Sequence, residues 1–258
     1  FYWCFGNDWV SIGIFTACII FPVSILLDGS LTKIERDRIF VIYIIAFFVI
    51  FFWAAYEQAG ASLTLFAAEQ TDRTILGWEM PASWIQSFNP FFVVILAAIM
   101  PSVWGALNKR GMEPASPTKQ AIGLLLLSLG YLVICFGVKD VQPGIKVSLI
   151  WLTGLYFIHT MGEIALSPIG LSMVNKLTPV RFASLMMGIW YLSTSTANKF
   201  AGTLGGLYPE DGKVKTLLGF RIETMFDFFM VFVIMSGVAS LILFLLSKKL
   251  QKMMHGVE

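Results

Sequence analysis

Apolar residues run in long blocks along this chain, and polar residues collect in short breaks between them. A helix crossing the ~30 Å hydrocarbon core of a bilayer needs about 20 mainly apolar residues. Seven stretches meet that measure: 9–27, 39–67, 84–107, 120–138, 147–175, 182–206 and 223–247. The breaks carry turn formers, namely Asp28-Gly29-Ser30, Gly111 to Pro117 with two prolines, Pro143-Gly144, Thr178-Pro179 and Tyr208 to Gly212. The pattern predicts an all-α integral membrane protein. Two stretches exceed what a bilayer requires. As a straight helix 39–67 would run roughly 43 Å, so it must tilt or bend, and Gly60 could supply the bend. The stretch 147–175 contains Pro168, which frees a backbone carbonyl one turn earlier.

Composition sharpens this picture. The chain is 57% hydrophobic and only 13% charged, too little polar side chain to coat a water-exposed surface of this length. Its mean hydropathy is +0.77. A net charge of +2 provides no basic field of the kind nucleic-acid binding needs. Cys4, Cys18 and Cys135 are an odd, scattered set, read as small packing residues and not as a disulfide framework or metal cluster. The chain begins at Phe1 with no basic leader and cleavage site, and is expected to be part of a longer protein.

Linker charge orients the helices. One alternate set of linkers holds Lys33, Arg36, Arg38, Lys109, Arg110, Lys119, Lys176, Arg181, Lys248, Lys249 and Lys252; the other holds Arg73, Lys139, Lys146, Lys213, Lys215 and Arg221. Cytoplasmic loops carry the excess of Lys and Arg, so the first set is expected inside, together with the C-terminus.

Ionisable groups deep in membrane helices are costly and usually have a partner or a task. Glu57 and Glu163 are the candidates. Around Glu57, the spacing of Trp53, Gly60 and Thr64 predicts one shared helical face, either a cavity lining or gate or a structural salt bridge between helices. Glu163 is expected to share a face with Tyr156, His159, Ser167 and Gly170, just before Pro168. A carboxylate beside a disturbed backbone fits a cationic group such as a substrate amine, and it is also a candidate to take up a proton; the alternative is a helix-packing hydrogen bond. His159 could relay protons or simply donate a hydrogen bond. With no third ligand evident, His159 and Glu163 make no metal site. Lys199 reads as a snorkelling lysine and Asp227 as a favourable charge at a helix start. Asn89, beside Pro90, and Trp190 could line a site or pack. No Walker loop or nucleophile motif is present.

Four runs carry a family resemblance: FFWAAYEQAGASLTLF from Phe51, PASWIQSFNPFFVVILAAIMPSVW from Pro81, HTMGEIALSPIGLSMVNKLTP from His159 and RFASLMMGIWYLSTSTANKFAG from Arg181. They resemble the seventh, eighth, tenth and eleventh membrane helices of the proton-dependent oligopeptide transporters of the major facilitator superfamily. The resemblance implies that 31–258 is the C-terminal six-helix bundle of such a transporter. It implies that 1–30 is an inter-bundle membrane helix or the last helix of the N-terminal bundle. It further implies that Glu163 binds a peptide's amino terminus, that Asn89 holds the peptide backbone, that Trp53 and Trp190 are pocket aromatics and that Ser167 lines the same site. Glu57 would pair with a basic residue of the N-terminal bundle, so that protonation opens an outer gate. The family's Glu-x-x-Glu-Arg-Phe signature of its first helix is absent.

The expected activity is proton-coupled uptake of di- and tripeptides by alternating access in the bacterial plasma membrane. The partners would be lipid and the N-terminal bundle, and the proton would be the coupling ion with no cofactor. The readings that compete are a same-family carrier of another substrate such as nitrate, a non-transporting scaffold, and an intramembrane enzyme. The last lacks a nucleophile, and the chain is not expected to be an enzyme.

Overall fold

A computed structural model describes residues 9–139, 141, 144–209 and 213–257. Cys4, Pro143 and residues 210–212 lie outside the described residues. Among the described residues eight α-helices follow one another: α1 (Trp9–Leu26), α2 (Lys33–Tyr56), α3 (Ser62–Glu69), α4 (Phe88–Lys109), α5 (Ser116–Val138), α6 (Leu149–Leu177), α7 (Ala183–Gly205) and α8 (Met225–Met253). Short sequence signals start several of them. Thr32 caps α2 and exchanges hydrogen bonds with Glu35, and Thr224 does the same with Asp227 at α8. Pro117 sits in the first turn of α5, where its missing N–H costs nothing.

Every predicted span is helical. By apolarity the picture differs: among the described residues six segments are long and apolar enough to cross a membrane, and Ala183–Gly205 is not one of them. That helix carries Ser193, Thr194, Ser195, Thr196, Asn198 and Lys199 in one run. Protein neighbours accept this polarity. Ser193 and Thr196 are buried, and their hydroxyls bond the carbonyls of Trp190 and Leu192 on the same helix.

The long second span breaks where a bend was required. α2 ends at Tyr56, Glu57–Gly60 form a tight 3-10 turn, and Ala61 departs from helical geometry before α3 resumes. Gln58 holds the break to α7: its amide donates to Ala54 O at 3.2 Å and to Ala201 O at 2.9 Å, and Ser62 donates to its carbonyl oxygen at 2.6 Å. Pro168 does not break α6, which is helical from Leu149 to Leu177.

α5 is the centre of the bundle, packed on α6 and α8; α2 lies on α7 and α8, α4 on α6, and α1 on α7. Glycines set the α5–α6 approach. Gly123, Gly130 and Gly137 recur every seven residues and face Leu166 and Gly162, His159 and Trp151 in turn; a Cβ there would meet those residues at 2.8, 2.3 and 2.5 Å. Small residues at such spacing let helix backbones come close in lipid. On the opposite side Ser128 donates to Val233 O and Ser240 to Ala121 O, joining α5 to α8.

Short β elements join the helices at one end of the bundle. β1 (Thr71–Asp72) pairs in parallel with β4 (Val147–Ser148). Two antiparallel hairpins, β2–β3 (Thr74–Ile75 with Trp78–Glu79) and β5–β6 (Lys215–Leu217 with Phe220–Ile222), turn through Leu76-Gly77 and Leu218-Gly219, all with positive φ. At the other end Arg181 bonds Glu35 and the Ser30 carbonyl, and His255 bonds Asp37.

Candidate functional site

Three helices bring their polar residues to one point. Tyr56 comes from the last turn of α2, Asn89 from the first turn of α4, and Thr160 and Glu163 from the middle of α6. The Tyr56 hydroxyl donates to Glu163 Oε2. Asn89 Nδ2 donates to the same Oε2 at 2.9 Å, to Thr160 Oγ1 at 3.2 Å, and to the Tyr56 hydroxyl oxygen. Thr160 in turn donates to the Tyr156 carbonyl at 2.7 Å. Glu163 is half-buried, and no basic side chain among the described residues pairs with it. A carboxylate set in apolar helices, gripped by neutral donors and without a cation of its own, can receive one from outside.

Glu57 stands beside this cluster at the start of the 3-10 turn. It is exposed, and none of the described basic side chains bonds it. The expected stripe of Trp53, Glu57, Gly60 and Thr64 does not run on as one helical face, because the break re-aims the chain after Glu57. Thr64 instead donates to Ala59 O at 2.7 Å and accepts from Gln86 at 2.8 Å. Trp53 is half-buried, edge-on to Phe52 and Tyr56, each at 5.4 Å.

The face expected around Glu163 is also divided. α6 has neighbours on several sides, so residues near in helical spacing meet different helices. His159 is buried and bonds outside the cluster: Nε2 donates to Leu127 O at 3.1 Å, and the ring packs 4.7 Å from that of Tyr131, 6.2 Å from that of Tyr56 and against Gly130. This geometry fits the hydrogen-bonding alternative for His159 and offers no direct link to Glu163. Trp190 is 4% exposed and fills the notch at Gly170, beside Gln120, so here it is a packing residue between α6 and α7. Ser167 is half-buried one turn beyond Glu163. The buried Tyr156 hydroxyl has no partner among the described residues.

Sequence reasoning singled out Glu163 and Asn89, and the structure joins them. It gave no role to Tyr56 or Thr160. The available signal for Tyr56 was a phenol adjoining a membrane glutamate, a polar group that needs a partner when buried.

With this geometry in hand, the chain is assigned to a class. It is half of a major facilitator fold, and it belongs to the POT family, whose PTR2 profile matches residues 14–217. The peptide transporter YePEPT of Yersinia enterocolitica is 37% identical over 71% of this chain and 36% of its own length. The dipeptide and tripeptide permease A of Escherichia coli is 30% identical over 84% of this chain and 43% of its own. Among solved structures, a mutant of the peptide transporter POT in complex with alafosfalin aligns with a TM-score of 0.81 at 29% identity, covering 96% of this chain and 50% of that one. The chain thus spans about half, or less, of the length of the relatives it matches, which are transporters.

Proposed function

We propose that this chain supplies the C-terminal half of the central site of a proton-coupled symporter for di- and tripeptides. The observation carrying this reading is the unpaired Glu163 carboxylate, held by Tyr56 and Asn89 on one oxygen. Its other oxygen takes the peptide's ammonium, and Asn89, Ser167 and Trp53 line the same site. Glu57, exposed and unpaired at the break in α2, takes a basic residue of the N-terminal bundle; protonating it releases that pair and opens the outer gate. His159 serves as a packing hydrogen-bond donor. α1 lies between the bundles or is the last helix of the N-terminal one, the C-terminus is cytoplasmic, and the membrane is a bacterial plasma membrane. Relatives named as peptide transporters and di- and tripeptide permeases support the substrate class.

One further observation favours a neighbouring reading. A POT family transporter solved with 5-aminolevulinic acid aligns at a TM-score of 0.78 and 26% identity, so a small amine-bearing acid is the second substrate class. The test is uptake of labelled dipeptide by proteoliposomes holding the transporter that contains this chain, under an inward proton gradient. Uptake is expected to collapse with a proton ionophore and to be lost in Glu163→Gln. Gradient-driven uptake of 5-aminolevulinic acid but of no dipeptide would move the assignment to the second class.

A further inference from the structure

Tyr56 is placed to control how Glu163 meets its ligand. Its hydroxyl donates to Oε2 of Glu163 while accepting from Asn89, and Asn89 donates to that same Oε2. Two donors from two helices thus converge on one oxygen. Oε1 receives no donor among the described residues and is not one of their buried, unpartnered atoms. The Tyr56 ring is itself fixed, stacked on Phe52 at 5.4 Å and 18° and edge-on to Trp53 at 5.4 Å. A glutamate side chain has three rotatable bonds, and ordering it on ligand arrival costs binding free energy. Pinning one oxygen beforehand removes that cost and leaves a single direction of approach to the other.

Resting on the peptide-transport reading above, we propose that Tyr56 is a specificity-determining positioning residue: by holding Oε2 it presents Oε1 in one orientation, so that a ligand with a free cationic amine is chosen over the same ligand acylated at that nitrogen. Tyr56 acts through Glu163 and makes no contact with the ligand in this role. Asn89 alone cannot substitute, because its amide also serves Thr160 and loses the Tyr56 hydroxyl as a second anchor. The effect is therefore confined to amine recognition and leaves the turnover step alone.

Tyr56→Phe removes the oxygen and keeps the ring. In proteoliposomes with the full transporter, KM for dialanine is expected to rise about tenfold, the loss of one hydrogen bond to a charged group, with kcat within about twofold. The preference for dialanine over N-acetyl-dialanine, read as a ratio of inhibition constants, shrinks by the same factor. Tyr56→Leu, a second variant in case the first does not reach the membrane, shows the same collapse of the ratio. In purified Glu163→Gln protein, adding Tyr56→Phe leaves dialanine binding unchanged, because the group through which Tyr56 acts is gone. An unchanged preference ratio, or equal weakening of both ligands, would overturn the role of Tyr56 while wild-type uptake and its loss in Glu163→Gln keep the transport reading intact. No proton-driven uptake of dialanine by the wild type would overturn both.

Discussion

An added methyl group at Gly130 tests what His159 is for. The new Cβ would lie 2.3 Å from His159 Cδ2 and 2.7 Å from Nε2. The ring cannot swing aside freely, since Nε2 is bonded to Leu127 O and the opposite side faces Tyr131 at 4.7 Å. Overpacking of this kind costs about 1–3 kcal/mol, and losing the buried hydrogen bond adds about 0.5–1.5 kcal/mol. Gly130→Ala is therefore expected to lower stability by about 1.5–4.5 kcal/mol. Equilibrium unfolding in mixed micelles, followed by tryptophan fluorescence, measures it. The same substitution in a His159→Ala background should cost less than about 1 kcal/mol, because the methyl then enters space the ring has left. A purely additive result would refute the reasoning, since it would mean that the imidazole is not wedged against Gly130 and is free to serve another purpose.

Three further outcomes are expected. Gln58→Leu removes the amide bonds to Ala54 O and Ala201 O and strands the Ser62 hydroxyl; a loss of about 1–3 kcal/mol should appear in the same unfolding assay. Leu218→Asn relieves a leucine held at φ 49° with its side chain in the open, and should raise the thermal midpoint by a few degrees at most. Hydrogen bonds from Thr74, its backbone amide at 3.0 Å among them, hold the Asp72 carboxyl below the usual carboxylate range. A depressed carboxylate stabilises the fold above its unfolded pKa and loses that contribution as pH falls through the folded value. The protection factor of the Thr74 amide, its exchange rate divided into the intrinsic rate at each pH, should therefore fall on acidification and stay constant above the carboxylate range.

Hydropathy alone located the helices, because a bilayer demands long apolar runs whatever they pack against. The same insensitivity to partners explains what it missed. α7 is helical throughout, yet its hydroxyls belong to a helix with protein on several sides. His159 and Glu163 are one turn apart on α6, but the imidazole bonds α5 while the carboxylate bonds α2 and α4; spacing predicts a shared face only when a helix has one neighbour. The seven-residue glycine period of α5 was legible in principle, and its meaning depended on which helix came opposite. Glu163 was readable as a costly polar group in an apolar helix, whereas Asn89 took its weight from the family resemblance. Tyr56 was harder to read, since a tyrosine in a membrane helix has many uses and only the meeting of α2 with α6 sets its hydroxyl beside the carboxylate.

The parallel pairing of Thr71 and Asp72 with Val147 and Ser148 has a mechanical consequence. It laces the residues just past α3 to those just before α6, and Val147 N is bonded to Gln70 O at 2.7 Å. Glu163 lies 14 residues beyond Leu149, where α6 begins, or roughly 21 Å of helix. The segment beyond the break and the rod carrying the carboxylate are therefore yoked at the rim. The segment cannot swing without drawing that rod along or snapping the backbone ladder between them. The lever arm from rim to carboxylate is the helix itself.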